Sequence, residues 1–175
     1  MITLDSPLEE IRSSPDLASF MHDARFVWVE NPERLGVRSN FQKATQLLLE
    51  RDVDLIAFSD QDDVWLPEKI AESVAAIKAR GPLSMVYCDA YLLVEGVTRP
   101  ERLHEYTVRT RGEMSIGEQI ISPQVSGFCE VFDATLAKLH PTIPTESTDH
   151  DHWYSLVAAA YGGVHRIDKP LALYR

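Results

Sequence analysis

Apolar side chains fall into two rhythms along this chain. Val37, Phe41, Ala44 and Leu48 recur at the spacing of one helical face, and Leu66, Ile70, Val74 and Ile77 form a second such stripe. The second has Pro67 near its start and Gly81-Pro82 at its end, the usual punctuation of a helix. Asp54 to Phe58 reads as a continuous apolar strand of the buried, parallel kind. Ile2 to Leu4, RFVWVE (25–30) and CEVF (129–132) read as further strands. SMVYCDAYLLV (84–94) supplies one or two more around Asp89, and VHRI and LALY close the chain as two short ones. Ser6-Pro7-Leu8-Glu9 opens a helix with Ser6 as cap, and Ser14-Pro15-Asp16 repeats the signal, predicting a helix from Pro15 to about His22. Ser115 to Ile121 reads as a short helix, and Asp151 to Tyr161 as one that ends at Gly162-Gly163. Between Glu95 and Gly112 the chain is polar and carries Arg99, Arg102, Arg109 and Arg111, which reads as an excursion or mobile loop.

Strand and helix alternate throughout, which predicts one α/β domain over residues 1–175, with a mostly parallel sheet flanked by helices. A chain of this length can bury roughly 70% of its unfolded surface, so a real core is expected. In such sheets ligands sit just beyond the carboxyl ends of the strands.

Charge narrows the partners. A formal net charge of -10 argues against a broad nucleic-acid face, which needs clustered Lys and Arg. It leaves room for local anion binding, because a metal ion can reverse the sign of a small site. Two cysteines, Cys88 and Cys129, lie in apolar runs and are too few for a disulfide framework, which points to a reducing compartment. The chain shows neither a signal peptide nor a run of ~20 apolar residues, so a cytoplasmic location is expected.

The segment LIAFSDQDDVW (55–65) then stands out. Asp60, Asp62 and Asp63 crowd the point where a buried strand should end. Carboxylates this close repel one another, and a divalent cation relieves the repulsion; Mg²⁺ takes such ligands together with substrate phosphate oxygens. Asp60 and Asp62 therefore suit a metal–diphosphate site, and the competing reading has Asp62 and Asp63 capping the next helix. A second cluster, TDHDHWYS (148–155), places Asp149, His150, Asp151 and His152 at a helix start. An Asp there suits a general base for a substrate hydroxyl. The alternatives are helix capping by Asp149 or Asp151, or a zinc site built on the two histidines. His22, His104, His140 and His165 stand alone and read as structural or surface residues.

LGVRSNFQKATQLL, LIAFSDQDDVWLPEKI, MVYCDAYLL, VSGFCEVFDATL and DHDHWYSLVAAAYGGVHRIDKPLALYR resemble, in that order, the family 2 glycosyltransferases. They are nearest to the rhamnosyltransferase-like members that build bacterial surface polysaccharides. The resemblance runs from about Phe26 to Arg175 and implies a GT-A-like fold. It implies that Asp60 and Asp62 hold a divalent metal (Mg²⁺ or Mn²⁺) and the diphosphate of a nucleotide-sugar donor, with Asp62 the more direct ligand. Asp151 matches the base that deprotonates the acceptor hydroxyl, and Trp153, Gly127 and His150 fall on the acceptor side. Asp89 matches an acid near the donor sugar, and Asp5 stands where a base-contacting acid would lie. The implied reaction is inverting transfer of a sugar, rhamnose among the candidates, to a saccharide or lipid-linked saccharide.

The chain begins too late for the family's first strand and helix, so an incomplete nucleotide-binding half is expected. Open strand edges would then favour a homodimer. Peripheral association with a membrane, at its inner face, is also compatible with the resemblance. Two other functions fit parts of the sequence. One is a sugar- or nucleotide-binding remnant without activity. The other is a haloacid-dehalogenase-type phosphatase with Asp60 as nucleophile and Asp62 as acid, for which the later Lys and paired-Asp motifs are not in order.

Overall fold

β1 (Ile2–Leu4) and β2 (Trp28–Glu30) pair in parallel as a separate two-stranded sheet. Between them lie α1 (Leu8–Ser13) and a 3-10 turn, Ala18–His22, where the sequence predicted an α-helix. Ser6 does not cap α1. Pro7 takes the cap position, and the Glu30 carboxylate accepts the Leu8 N–H at 2.9 Å. This computed structural model describes the chain apart from residues 95–96, 107–112, 124 and 148 and the side chains of 97–100, 105–106 and 113–114. Arg109 and Arg111 of the predicted excursion thus lie outside the described residues.

The remaining elements follow in order: α2 (Val37–Leu49), β3 (Leu55–Ala57), β4 (Val64–Trp65), α3 (Lys69–Arg80), β5 (Met85–Val94), β6 (Val97–Arg102), α4 (Leu103–Tyr106), β7 (Glu113–Met114), α5 (Ile116–Ile121), β8 (Glu130–Asp133), α6 (Ala134–Leu139), α7 (His150–Tyr161) and β9 (Val164–Tyr174). The larger sheet runs β3-β8-β5-β9-β4, with β6 added to β5 and β7 to β9. Its central strand β5 buries Met85 to Ala90 completely or nearly so, the charged Asp89 included.

The sheet is mixed, which corrects the expectation of a mostly parallel one. Among the described residues only β5 and β9 run parallel within it; β8 is antiparallel to both β3 and β5, and β4 is antiparallel to β9. A buried apolar run marks a strand but not its direction, which the connections decide. VHRI and LALY are one strand, not two. β9 bulges against β5, so that Cys88 faces Ile167 and Asp89 faces Pro170, and residues 168–169 are skipped. Proline has no N–H to donate and is tolerated at such an irregularity.

Helix α3 departs from its predicted stripe. It buries Lys69, Ser73 and Ile77, while Ile70 is 44% exposed. The buried face is rotated by one position toward polar residues. α2 forms where predicted, with Val37 exposed at its start. On the other side, Phe58, Phe132 and Tyr154 pack ring to ring at 5.0–5.9 Å and join β3, β8 and α7 in the main core. No helix among the described residues is long and apolar enough to cross a membrane.

Candidate active site

β3 is only three residues long, and the chain leaves it through buried Phe58 into the acid loop. The loop is pinned at its far end by β4, whose Val64 and Trp65 pair with Leu173 and Ala172 of β9. The Asp63 Oδ1 accepts the backbone N–H of Arg175 at 2.9 Å. Asp62 and Asp63 do not cap α3, which begins at Lys69 with Glu68 in the cap position. The capping reading of this cluster therefore falls, and the acids are left without a structural task at that helix.

The second arm comes from α7. Asp149 occupies its cap position but makes no side-chain cap bond. Asp151, in the first turn, is held by both oxygens: Oδ2 accepts the Gly127 N–H at 3.0 Å and Oδ1 the His152 N–H at 2.7 Å. Gly127 is needed for this approach. A Cβ there would lie 2.8 Å from His150 Nε2 and 3.7 Å from the Asp151 Cβ. His150 is buried, lies flat on Phe41 with centroids 3.8 Å apart, and meets the edge of Phe58 at 4.9 Å. Burial lowers its pKa against the opposing pull of Asp151 and Asp149. The Phe58–His150 contact joins the two arms, because these residues lie two positions before Asp60 and one before Asp151.

The electrostatics agree. Burial raises the Asp60 pKa to about 6, and the charges of Asp63, Asp62 and Asp151 add to the rise. Asp151 can act on Asp60 only because the fold brings the two segments together. Asp63 is also raised, first by burial, with the Arg175 N–H opposing. Among the described residues no three His, Cys, Asp or Glu side chains already form a metal cage.

The other sequence candidates have different surroundings. Asp5 accepts from Asn31 Nδ2 at 2.7 Å and from the N–H groups of Leu35 and Gly36 at 3.1 and 2.8 Å, closing the turn that starts α2. Asp89 is tied by the N–H groups of Ala90 and His104, the His104 ring, and ion pairs with Arg102 at 3.0 Å and Arg166 at 3.2 Å. Burial works to raise the Asp89 pKa, yet the Ala90 amide and His104 outweigh it and the net shift is downward. Trp153 sits about 200° around the helix from Asp151 and packs against the core and the edge of His140. A cavity of about 720 Å³, lined by Val53, Leu55, Val74, Ile77, Asp133 and Lys138, opens at the start of β3 rather than its end. It contains none of the site acids.

No family model matches the chain, and no curated protein matches it. Solved structures do. TarS 1–349 from S. aureus, a glycosyltransferase, superposes with a TM-score of 0.66 at 13% identity, over 98% of this chain and 49% of that one. The same protein in complex with UDP-GlcNAc gives 0.63 at 14% identity, over 93% and 46%. The longer TarS structure gives 0.63 at 12% identity, over 93% and 28%. The fold is glycosyltransferase-like. This chain spans half or less of the length of these structures, and the low identity carries the likeness of fold and nothing finer.

Within that glycosyltransferase-like frame, two residues beside the site carry no mark in the sequence motifs. Lys69 and Glu130 are both fully enclosed. A signal for each was present: a lysine one position off the apolar stripe of α3, and an acid inside the apolar run CEVF. His104, which reads as solitary in the sequence, is a direct partner of Asp89.

Proposed function

We propose that this chain is the donor-binding and transfer domain of a metal-dependent, inverting glycosyltransferase. The observation that carries the reading is the meeting of two distant acid segments, Asp60–Asp63 and Asp151, across the Phe58–His150 contact. Asp60 and Asp62 would hold a divalent cation, Mg²⁺ or Mn²⁺. The fit rests on the crowding of Asp60 by neighbouring carboxylates, which with burial raises its pKa, and on the habit of Mg²⁺ of taking only one or two carboxylates with substrate phosphates supplying the rest. When bound, such an ion stabilises the charge that develops on the departing nucleoside diphosphate.

Asp151 takes the proton of the acceptor hydroxyl while that oxygen attacks the anomeric carbon from the face opposite the diphosphate. The Gly127 and His152 N–H groups fix the carboxylate for that proton transfer. The partners that follow are a nucleotide-sugar donor and a saccharide or lipid-linked saccharide acceptor. Rhamnose is the donor sugar suggested by the family 2 resemblance; UDP-GlcNAc is the donor bound by the structural neighbour TarS.

Calorimetry with UDP, with and without Mn²⁺, tests the donor site. Metal-dependent binding that disappears in Asp62→Ala supports the reading, and no binding at millimolar UDP and other nucleoside diphosphates sinks it. A second reading is binding without turnover. It predicts the same binding with no sugar transferred from any nucleotide sugar in a panel.

A further inference from the structure

Helix α7 starts without a cap of its own. Asp149 stands in the cap position with extended backbone, yet its side chain takes none of the leading N–H groups. A helix end without a side-chain cap is placed by its surroundings rather than by its own sequence. Here the surroundings are α2. His150, the first residue of α7, lies flat on Phe41 of α2. The segment before it is tied down by polar side chains of that same helix.

Arg38 Nη1 donates to the carbonyls of Thr145 and Ser147 at 2.9 and 3.1 Å. Gln42 Oε1 accepts the Ile143 N–H at 2.6 Å, and Gln46 Nε2 donates to the Pro141 carbonyl at 3.1 Å. Arg38, Gln42 and Gln46 stand four residues apart, so they form one row along α2, about 12 Å long. The row meets the strap in reverse order, from Ser147 back to Pro141, and it grips backbone groups throughout. Ile143 is 4% exposed, and its buried N–H requires the partner that Gln42 supplies. Beyond Arg38 the ties continue: the Ser147 N–H donates to the Pro144 carbonyl at 3.1 Å and the Ser147 hydroxyl to the Asp149 carbonyl at 3.2 Å. Hydrogen bonds thus run from α2 to within two residues of Asp151.

We propose that the Arg38, Gln42 and Gln46 row positions Asp151. By strapping residues 141–147 it fixes where α7 begins, and so where the Asp151 carboxylate meets the Gly127 N–H. The inference rests on the reading of Asp151 as the base. The three side chains are positioning residues that act through the strap and α7.

Amide hydrogen exchange followed by NMR tests this, with turnover as a second arm. Arg38→Met keeps the aliphatic stem and removes both bonds to the strap. It should speed exchange at Ile143 and Ser147 about tenfold, the worth of one or two hydrogen bonds. It should speed the Gly127 amide as well, which lies on a separate element and reports on Asp151. In an active protein kcat should fall between about tenfold and 10²-fold, as for a misplaced reacting group. Mn²⁺-dependent UDP binding should hold steady, because the acid loop is pinned elsewhere, by β4 and Arg175. Bond direction supplies a rescue pair. Gln42→Glu still offers an oxygen to the Ile143 N–H and should match wild type, while Gln42→Met should behave like Arg38→Met. An unchanged Gly127 amide overturns the proposal, whether or not the strap loosens. So do an unchanged kcat, equal losses in kcat and UDP binding, or a Gln42→Glu protein as impaired as Gln42→Met. If Arg38→Met does not fold, the Gln42 pair decides. If wild type transfers no sugar, the base role of Asp151 falls, and the Gly127 amide alone decides whether the row sets its position.

Discussion

Two acids, the buried Asp89 and the half-buried Asp60, sit in this molecule under opposite regimes. Asp89 has cations on several sides: Arg102, Arg166 and the His104 ring all reach it, and two backbone amides complete its shell. Its pKa is lowered. Asp60 has three other carboxylates for company and a pKa raised to about 6. An acid whose partners are all supplied by the protein is spent on holding the fold together. One that is raised by burial and then by neighbouring carboxylates fits the cation site proposed above. The resemblance to family 2 enzymes assigned both acids to the donor site, and their surroundings separate them.

The sharpest way to break this contrast is at Asp151. Asp151→Asn should lower turnover by about 10²–10⁴-fold, the usual contribution of a positioned base, with UDP affinity within about threefold of wild type. A steady-state assay with a matched donor and acceptor, paired with calorimetry, measures both, and an equal loss in binding would remove Asp151 from the base role. Asp89→Asn should instead act on the fold. It removes one of the two carboxylates that pair the almost wholly buried Arg166, Asp168 being the other, and should cost about 1.5–3 kcal/mol, read from urea unfolding. A stable Asp89→Asn protein that loses nucleotide binding would return Asp89 to the site.

Gly127→Ala comes next. The new methyl would meet His150, which is held between Phe41 and Phe58 and cannot easily yield. A loss of about 1–3 kcal/mol is expected, with turnover falling as the Asp151 clamp shifts.

The smallest effect is the pH dependence of Asp60. With a folded pKa of about 6 against an ordinary 3.8, Asp60 holds more protons folded than unfolded between those values. Its contribution is therefore fully present below about pH 4 and is lost as pH rises through 6. Urea midpoints of wild type and Asp60→Asn at pH 4, 5 and 6 should converge or cross in that direction, and identical slopes would contradict the crowding.

The sequence carried the places of most elements, because burial imposes a period of two or 3.6 on apolar residues. α2 and β5 arise directly from such runs. Strand direction was not legible, since Glu130–Asp133 looks the same read either way and only the fold decides that it lies antiparallel between β3 and β5. In the site, the acids at the end of β3 and the start of α7 were visible as crowding that no surface requires. The Asp89 cage was not, because Arg102 and His104 come from one stretch and Arg166 from another far along the chain. Lys69 was hidden for another reason: an apolar stripe predicts which side of a helix is buried, and α3 is turned so that a lysine and a serine face inward.

The amide of Arg175 rests on Asp63, so the last strand delivers its end directly to the acid loop. A purification tag of histidines fused after that arginine would hang imidazoles over the very carboxylates whose metal affinity is to be measured, and would supply ligands of its own. Production with the tag at the amino end, or with a cleaved carboxyl tag, keeps metal titrations reporting on the protein alone.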